Sequence, residues 1–164
     1  FETATGDAPA GVDAAAIEAL AGTGAGFKLR CGGTEPAAVP PVSRVAAALA
    51  RCRDRGVPLK CTAGLHHPVR HYDPVLGTRV HGFLNVFGGA ILAAARDLPP
   101  ATIAACVAEE DAAQFSAAGG AFAWNGFSAS LDEVRAARTS LATGFGSCSF
   151  DEPRDDLRAL GLLP

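Results

Sequence analysis

The sequence predicts an α/β fold built from parallel β/α units, barrel-like or half of a TIM-type barrel. Three observations predict it. Short apolar runs alternate with segments of helical period along most of the chain. Two of these runs, Phe27 to Cys31 and Val57 to Thr62, carry a lysine at matching places and lead into glycine, as Lys28-Leu-Arg-Cys-Gly-Gly33 and Lys60-Cys-Thr-Ala-Gly64. Between them Val42, Val45, Ala46, Leu49 and Cys52 recur at helical spacing, with Arg44, Arg51, Arg53 and Asp54 on the other side. A strand, a crossover helix and a second strand make parallel neighbours.

Taken in order, Phe1 to Thr5 reads as a strand and Gly6 to Gly11 as a loop. Asp13 is placed to cap a short alanine-rich helix ending near Ala21, with Ile17 and Leu20 on one face. Thr23-Gly-Ala-Gly26 breaks it before the first lysine strand. The helix of Val42 to Arg55 stops at Gly56, and the second lysine strand follows. Gly82 to Arg96 is almost wholly apolar and predicts a buried helix that Pro99-Pro100 ends. Ala101 to Phe115 predicts another helix and Ser116 to Gly120 a flexible joint. Phe122-Ala-Trp124 is a short strand or a loop packed on the core. Ser130-Leu-Asp-Glu133 has the form of a capping box for a helix ending near Leu141. Phe145 to Phe150 predicts a strand, and Asp151-Glu-Pro153 opens a last helix with Leu157 and Leu160 inward.

At 164 residues the chain has the length of one domain, able to bury a core without disulfides or a structural metal. Its formal net charge of −3 and pI near 5.8 exclude the basic stripe of a nucleic-acid binder. No run of about eighteen apolar residues is long enough for a membrane span, and no basic-then-apolar leader is present. Five cysteines without C-x-x-C spacing imply reduced thiols, as expected of a cytoplasmic protein. The absence of methionine and the abrupt opening at Phe1 suggest an excised C-terminal fragment of a longer barrel. Such a half-barrel is completed by a missing N-terminal half or by a second copy in a homodimer.

The chemistry concentrates in one stretch. All four histidines, His66, His67, His71 and His81, fall within sixteen residues, following directly on one of only two lysines. Side chains alternate along a strand, so Lys28 and Arg30 share one face, as do Lys60 and Thr62, while Leu29, Cys31, Leu59 and Cys61 take the other. In a barrel the polar face points inward, where the carboxyl ends of the strands form the active site. Lysines and an arginine directed into one crevice require either buried carboxylates, for which Glu2, Glu35 and Asp73 are the candidates, or an anionic ligand. Cys31, Cys61 and Cys148 are expected on the helix-facing side as small hydrophobes.

Lys28-Leu-Arg-Cys-Gly-Gly33, Lys60-Cys-Thr-Ala-Gly-Leu-His-His67, His81-Gly-Phe-Leu-Asn85 and Gly146-Ser-Cys-Ser149 with Glu152-Pro153 together resemble the C-terminal half of a family of uncharacterised bacterial proteins with chains about twice this length. A looser similarity is to class I aldolases of the deoxyribose-phosphate aldolase type. In those enzymes the sixth and seventh barrel strands each end in lysine and a glycine-containing turn, and a glycine/serine-rich eighth strand end holds phosphate. That similarity implies a Schiff-base lysine at Lys28, a lysine at Lys60 that tunes it, and a phosphate site at Ser147 to Ser149. Arg30 and the double-histidine loop depart from the aldolase pattern.

The expected function is therefore that of an enzyme acting on a small anionic carbonyl compound, by lyase or isomerase chemistry and without a required cofactor. Lys28 or Lys60 is the covalent or electrostatic centre, since a lysine beside other cations in a dry pocket sheds its proton more readily and becomes nucleophilic. His66, His67 and His71 are the candidate proton carriers. Arg30, Thr62, Arg70, Asn85, Ser147 and Ser149 are the candidate binding residues, with the turn before the last helix placed to hold phosphate. Two alternatives stand beside this. The histidine cluster with Asp73 could serve a metal-dependent hydrolase or lyase, though no specific ligand spacing is present. The chain could also be a non-catalytic ligand-binding or scaffold domain.

Overall fold

The computed structural model describes residues 11–163, so the strand expected at Phe1 to Thr5, and Glu2 with it, lie outside the described residues. The lysine strands form as predicted. β1 (Phe27–Arg30) and β2 (Leu59–Thr62) pair in parallel, and β2 pairs in parallel with β8 (Ala142–Gly146). The sheet order is β1-β2-β8, and the described strands do not close into a barrel. What is shown is a mixed α/β chain around a three-stranded parallel sheet.

Alternation divides that sheet as the sequence requires. Leu29, Cys31, Leu59 and Cys61 are buried in the core, while Arg30 and Lys60 are exposed and Lys28 and Thr62 half-buried. The buried side packs with helix α2 (Val42–Arg55), which forms over the expected span because its apolar stripe of Val45, Ala46, Leu49 and Cys52 is continuous and Gly56 accepts the left-handed conformation that ends it. α2 packs most extensively on α4 (Pro100–Ala108).

Helix α1 (Val12–Leu20) also forms, but Asp13 does not cap it. Gly11 occupies the cap position, and the Asp13 carboxylate instead takes a two-point ion pair from Arg44 on α2, with Nε–Oδ2 2.6 Å and a second bond of 3.0 Å. A fork-to-carboxylate pairing holds α1 on α2 more specifically than a cap would, and it draws the aspartate out of cap geometry.

Between β2 and β8 the chain makes two excursions. Strands β3 (His71–Asp73) and β4 (Thr78–Val80) form an antiparallel hairpin. The apolar segment expected as one helix from Gly82 divides into a π-helical turn, Leu84–Gly88, and the α-helix α3 (Gly89–Arg96). α4 ends at Ala108 rather than running to Phe115, and a 3-10 turn at Ala112–Gln114 leads into β5 (Phe115–Ser116). Asp111 stops any continuation: its carboxylate accepts the Ala113 amide and so favours a tight turn.

β5, β6 (Ala121–Trp124) and β7 (Phe127–Ser130) make a small antiparallel sheet turned at Asn125-Gly126, both at positive φ. α5 (Leu131–Ser140) starts with the predicted capping box between Ser130 and Glu133. α6 (Asp151–Ala159) follows β8 after a four-residue loop. The strand expected over Phe145 to Phe150 is thus displaced to 142–146. β2 ends at Thr62, opposite Gly146, so residues 147–150 run past the last available ladder partner. No described helix is long and apolar enough to cross a membrane.

Candidate functional site at the carboxyl ends of the parallel strands

Register fixes the polar face. Lys28 is the partner of Lys60 and Arg30 of Thr62 across β1 and β2, and Thr62 is in turn the partner of Gly146 on β8. Side chains of directly paired residues project from the same side of a sheet. Lys28, Lys60, Arg30 and Thr62 therefore form one patch, as the alternation predicts. The patch is not dry, since Lys60 and Arg30 are exposed.

All three strands end together. Ala63 and Gly64 both take left-handed backbone, with φ of 62° and 70°, so the chain turns sharply after β2. The turn brings Gly64 against Gly32 beyond β1, where a Cβ on Gly32 would stand 2.9 Å from the Gly64 Cα. Leu65 is then fully buried and anchors the loop, while His66 and His67 remain half-buried. Pro68 is buried as well.

The four imidazoles do not share one environment. His66 faces the loop after β8: its Nδ1 lies 3.4 Å from Glu152 Oε2 and 3.5 Å from both Ser147 Oγ and Cys148 Sγ, and its Nε2 lies 3.7 Å from Cys148 Sγ. His67 Nδ1 stands 2.6 Å from Asp156 Oδ2 on α6 and its ring meets His71 edge-on. His71 Nδ1 is 3.0 Å from the Val69 carbonyl. His81 is buried, with Nε2 2.8 Å from the Pro40 carbonyl and Nδ1 without a hydrogen-bond partner. Burial holds His81 below the ordinary imidazole pKa, the Pro40 carbonyl opposing this and Arg70 adding to it.

Arg70 and Asn85 belong to a different arrangement. The Asn85 side chain is fully buried, donating to the carbonyls of Cys106 and Glu109 and accepting the Arg70 amide at 2.7 Å. It ties the histidine loop to the end of α4 from within the π turn, and both its donors are occupied by backbone. The Arg70 guanidinium pairs with Glu110, which also pairs with Arg79 of the hairpin. Asp73 is engaged too: its Oδ1 accepts the Val75 and Leu76 amides and closes the hairpin turn. Those bonds, that from Leu76 foremost, hold its carboxyl below the usual range.

Ser147 and Ser149 stand on the loop, not on a strand. The Ser149 hydroxyl accepts the Glu152 amide in the first turn of α6, and the Ser147 hydroxyl accepts the Ser149 amide. The same turn carries Asp151 and Glu152, whose charges occupy the positive end of the helix dipole, and Pro153 supplies no N–H. A phosphate there would meet two carboxylates. The cations of the site are on β1 and β2 instead.

Cys148 departs from its expected place. It is exposed, and its thiol lies against His66, whereas Cys31, Cys52, Cys61 and Cys106 are buried. The end of β8 at Gly146 explains this, because a residue beyond the ladder is not bound to the helix-facing side. Burial pushes the Cys52 and Cys106 thiols up to about 12, and Cys61 is raised by its contact with Cys31 and by burial. Cys31 and Cys61 are the small hydrophobes the sequence predicts. Among the described residues no three His, Cys, Asp or Glu side chains are gathered as a metal-binding group.

Searches against protein-family models, curated proteins and solved structures find no match to this chain.

Proposed function

We propose that this protein acts on a small anionic carbonyl compound held over the carboxyl ends of β1, β2 and β8, with a strand-end lysine as the attacking amine. The observation that carries the reading is the direct pairing of Lys28 with Lys60 on the polar face. An uncharged lysine amine adds to a carbonyl carbon, and loss of water leaves an iminium that accepts the electron pair of a breaking C–C or C–H bond. Arg30, one step further along the same face, is placed for a substrate carboxylate or phosphate. His66, at the edge where β2 and β8 end, is the imidazole best placed to carry the proton.

The order of the three strands also supports a likeness to class I aldolases, whose two lysine strands stand side by side and are followed by a glycine/serine-rich strand end. In this reading the three-stranded sheet corresponds to the last part of such a barrel. The test is reductive trapping. Borohydride with a panel of small phosphorylated and carboxylated aldehydes and ketones should fix an adduct on Lys28 or Lys60, located by peptide mass spectrometry. Absence of any adduct across the panel, or one confined to the N-terminal amine, overturns the covalent reading.

A further inference from the structure

The loop between β8 and α6 presents a second nucleophile that the lysine chemistry does not use. Cys148 is exposed, whereas the other four thiols are buried. His66 stands beside it, and Glu152 stands beside His66. The carboxylate, the Ser147 hydroxyl and the thiol all approach Nδ1, at 3.4 Å, 3.5 Å and 3.5 Å, and of the three only the thiol also comes near Nε2, at 3.7 Å. A proton on Nδ1 therefore has a carboxylate to meet, and the Nε2 lone pair is left to the thiol. Nucleophile, base and orienting group in this sequence are the requirements for activating a thiol, and in unliganded sites the separations are often longer than in the working complex.

Helix α6 does not replace the histidine in this role. Its first turn begins three residues after Cys148 and carries Asp151 and Glu152, whose charges offset its positive end. The imidazole is what remains to take the proton. Its side chain is 33% exposed, so proton and substrate can both reach it.

We propose that Cys148, His66 and Glu152 form a nucleophilic thiol centre that accepts an acyl group from a small ester or thioester. The His66 Nε2 takes the thiol proton while Sγ attacks the acyl carbon. A C–S bond forms, the bond from that carbon to the leaving oxygen or sulfur breaks, and the imidazolium returns its proton to the leaving group. Water attacks the resulting thioester by the same route, releasing a carboxylic acid and restoring the thiol. No oxidant or reductant enters. Glu152 is a positioning residue that holds the imidazole, and the reaction is independent of the lysines.

The full chain treated with p-nitrophenyl acetate should release nitrophenolate in a burst equal to the protein present, and peptide mapping should place the acetyl group on Cys148. Cys148→Ser, a change at an exposed position, should remove the burst. His66→Ala should slow it at least about a hundredfold, the low end of what a positioned base contributes, with thermal melting unchanged. Glu152→Gln should slow it less and alter its pH profile. Acetyl groups on Lys28 or Lys60 with Cys148 unmodified would overturn the proposal, as would a Cys148 that acylates equally fast in His66→Ala or no faster than in the unfolded chain.

Discussion

His67 Nδ1 and Asp156 Oδ2 lie 2.6 Å apart although 89 residues separate them in sequence. This bond ties the loop after β2 to α6, and it does so one residue away from the His66 that faces Cys148. The two neighbouring histidines thus divide the work: one fastens the helix and the other faces the loop that leads into it.

Removing the fastening should loosen α6 more than it destabilises the whole. Both partners are partly exposed, at 42% and 35%, so Asp156→Ala should cost no more than about 1 kcal/mol of global stability. Amide hydrogen exchange across Asp151–Ala159 should accelerate while exchange in α2 stays unchanged. A uniform change in both helices would contradict a local tether.

Asn85 should be far less tolerant. In Asn85→Asp the two donors that serve the Cys106 and Glu109 carbonyls are lost, and a carboxylate faces those oxygens in a fully buried place. Each buried polar group left unpaired costs about 1–3 kcal/mol, so a loss of about 3 kcal/mol or more in urea unfolding is expected. A loss below about 1 kcal/mol would show that the π turn does not depend on this side chain.

His81 gives the fold a dependence on mild acid. Its folded pKa is lowered from 6.5 by burial, so below that value the unfolded chain binds the proton more readily than the native one. Its contribution is fully present above about pH 6.5 and is lost as pH falls through the lowered folded value. Urea midpoints should therefore fall between pH 7.5 and pH 5, and the fall should be shallower in His81→Gln, which keeps an N–H to offer the Pro40 carbonyl.

Ser130→Ala tests the capping box alone. The Ser130 hydroxyl accepts the Glu133 amide and the Glu133 carboxylate accepts the Ser130 amide, so the change should cost about 1 kcal/mol. Arg96, with the Ser130 amide assisting, holds the Glu133 carboxyl down to about 2. That ion pair should accordingly persist until the pH falls well below the usual carboxylate range.

Where local pattern and tertiary pairing agree, the sequence is sufficient. The two lysine strands, the helix of Val42–Arg55 and the cap at Ser130 are all read from residues whose alternation, periodicity or hydrogen-bonding groups serve the same end in the folded chain. β8 is misplaced from sequence because Ala142-Thr-Gly144 carries little apolar pattern, while Phe145 to Phe150 imitates one. The limit is set by where β2 ends, a fact of another segment. Cys148 was obscured by the same displacement. The π turn depends on what the Asn85 amide reaches across the fold, which spacing along the chain does not encode. Asn125-Gly126, by contrast, is a hairpin signal between β6 and β7 that is there to be used, although the reading from sequence takes only Phe122-Ala-Trp124, as a short strand or a loop.

Gly32 and Gly64 meet backbone to backbone where β1 and β2 end. At most tight contacts an enlarged residue can be rescued by a smaller one opposite, but here both residues already carry the smallest side chain there is. Gly64 also holds a φ of 70°, which any replacement would strain. No second change at the partner can make room, so the exits of the two lysine strands can drift only as one unit. A lineage that loses either glycine must rebuild the spacing of Lys28 and Lys60 or restore the residue it lost.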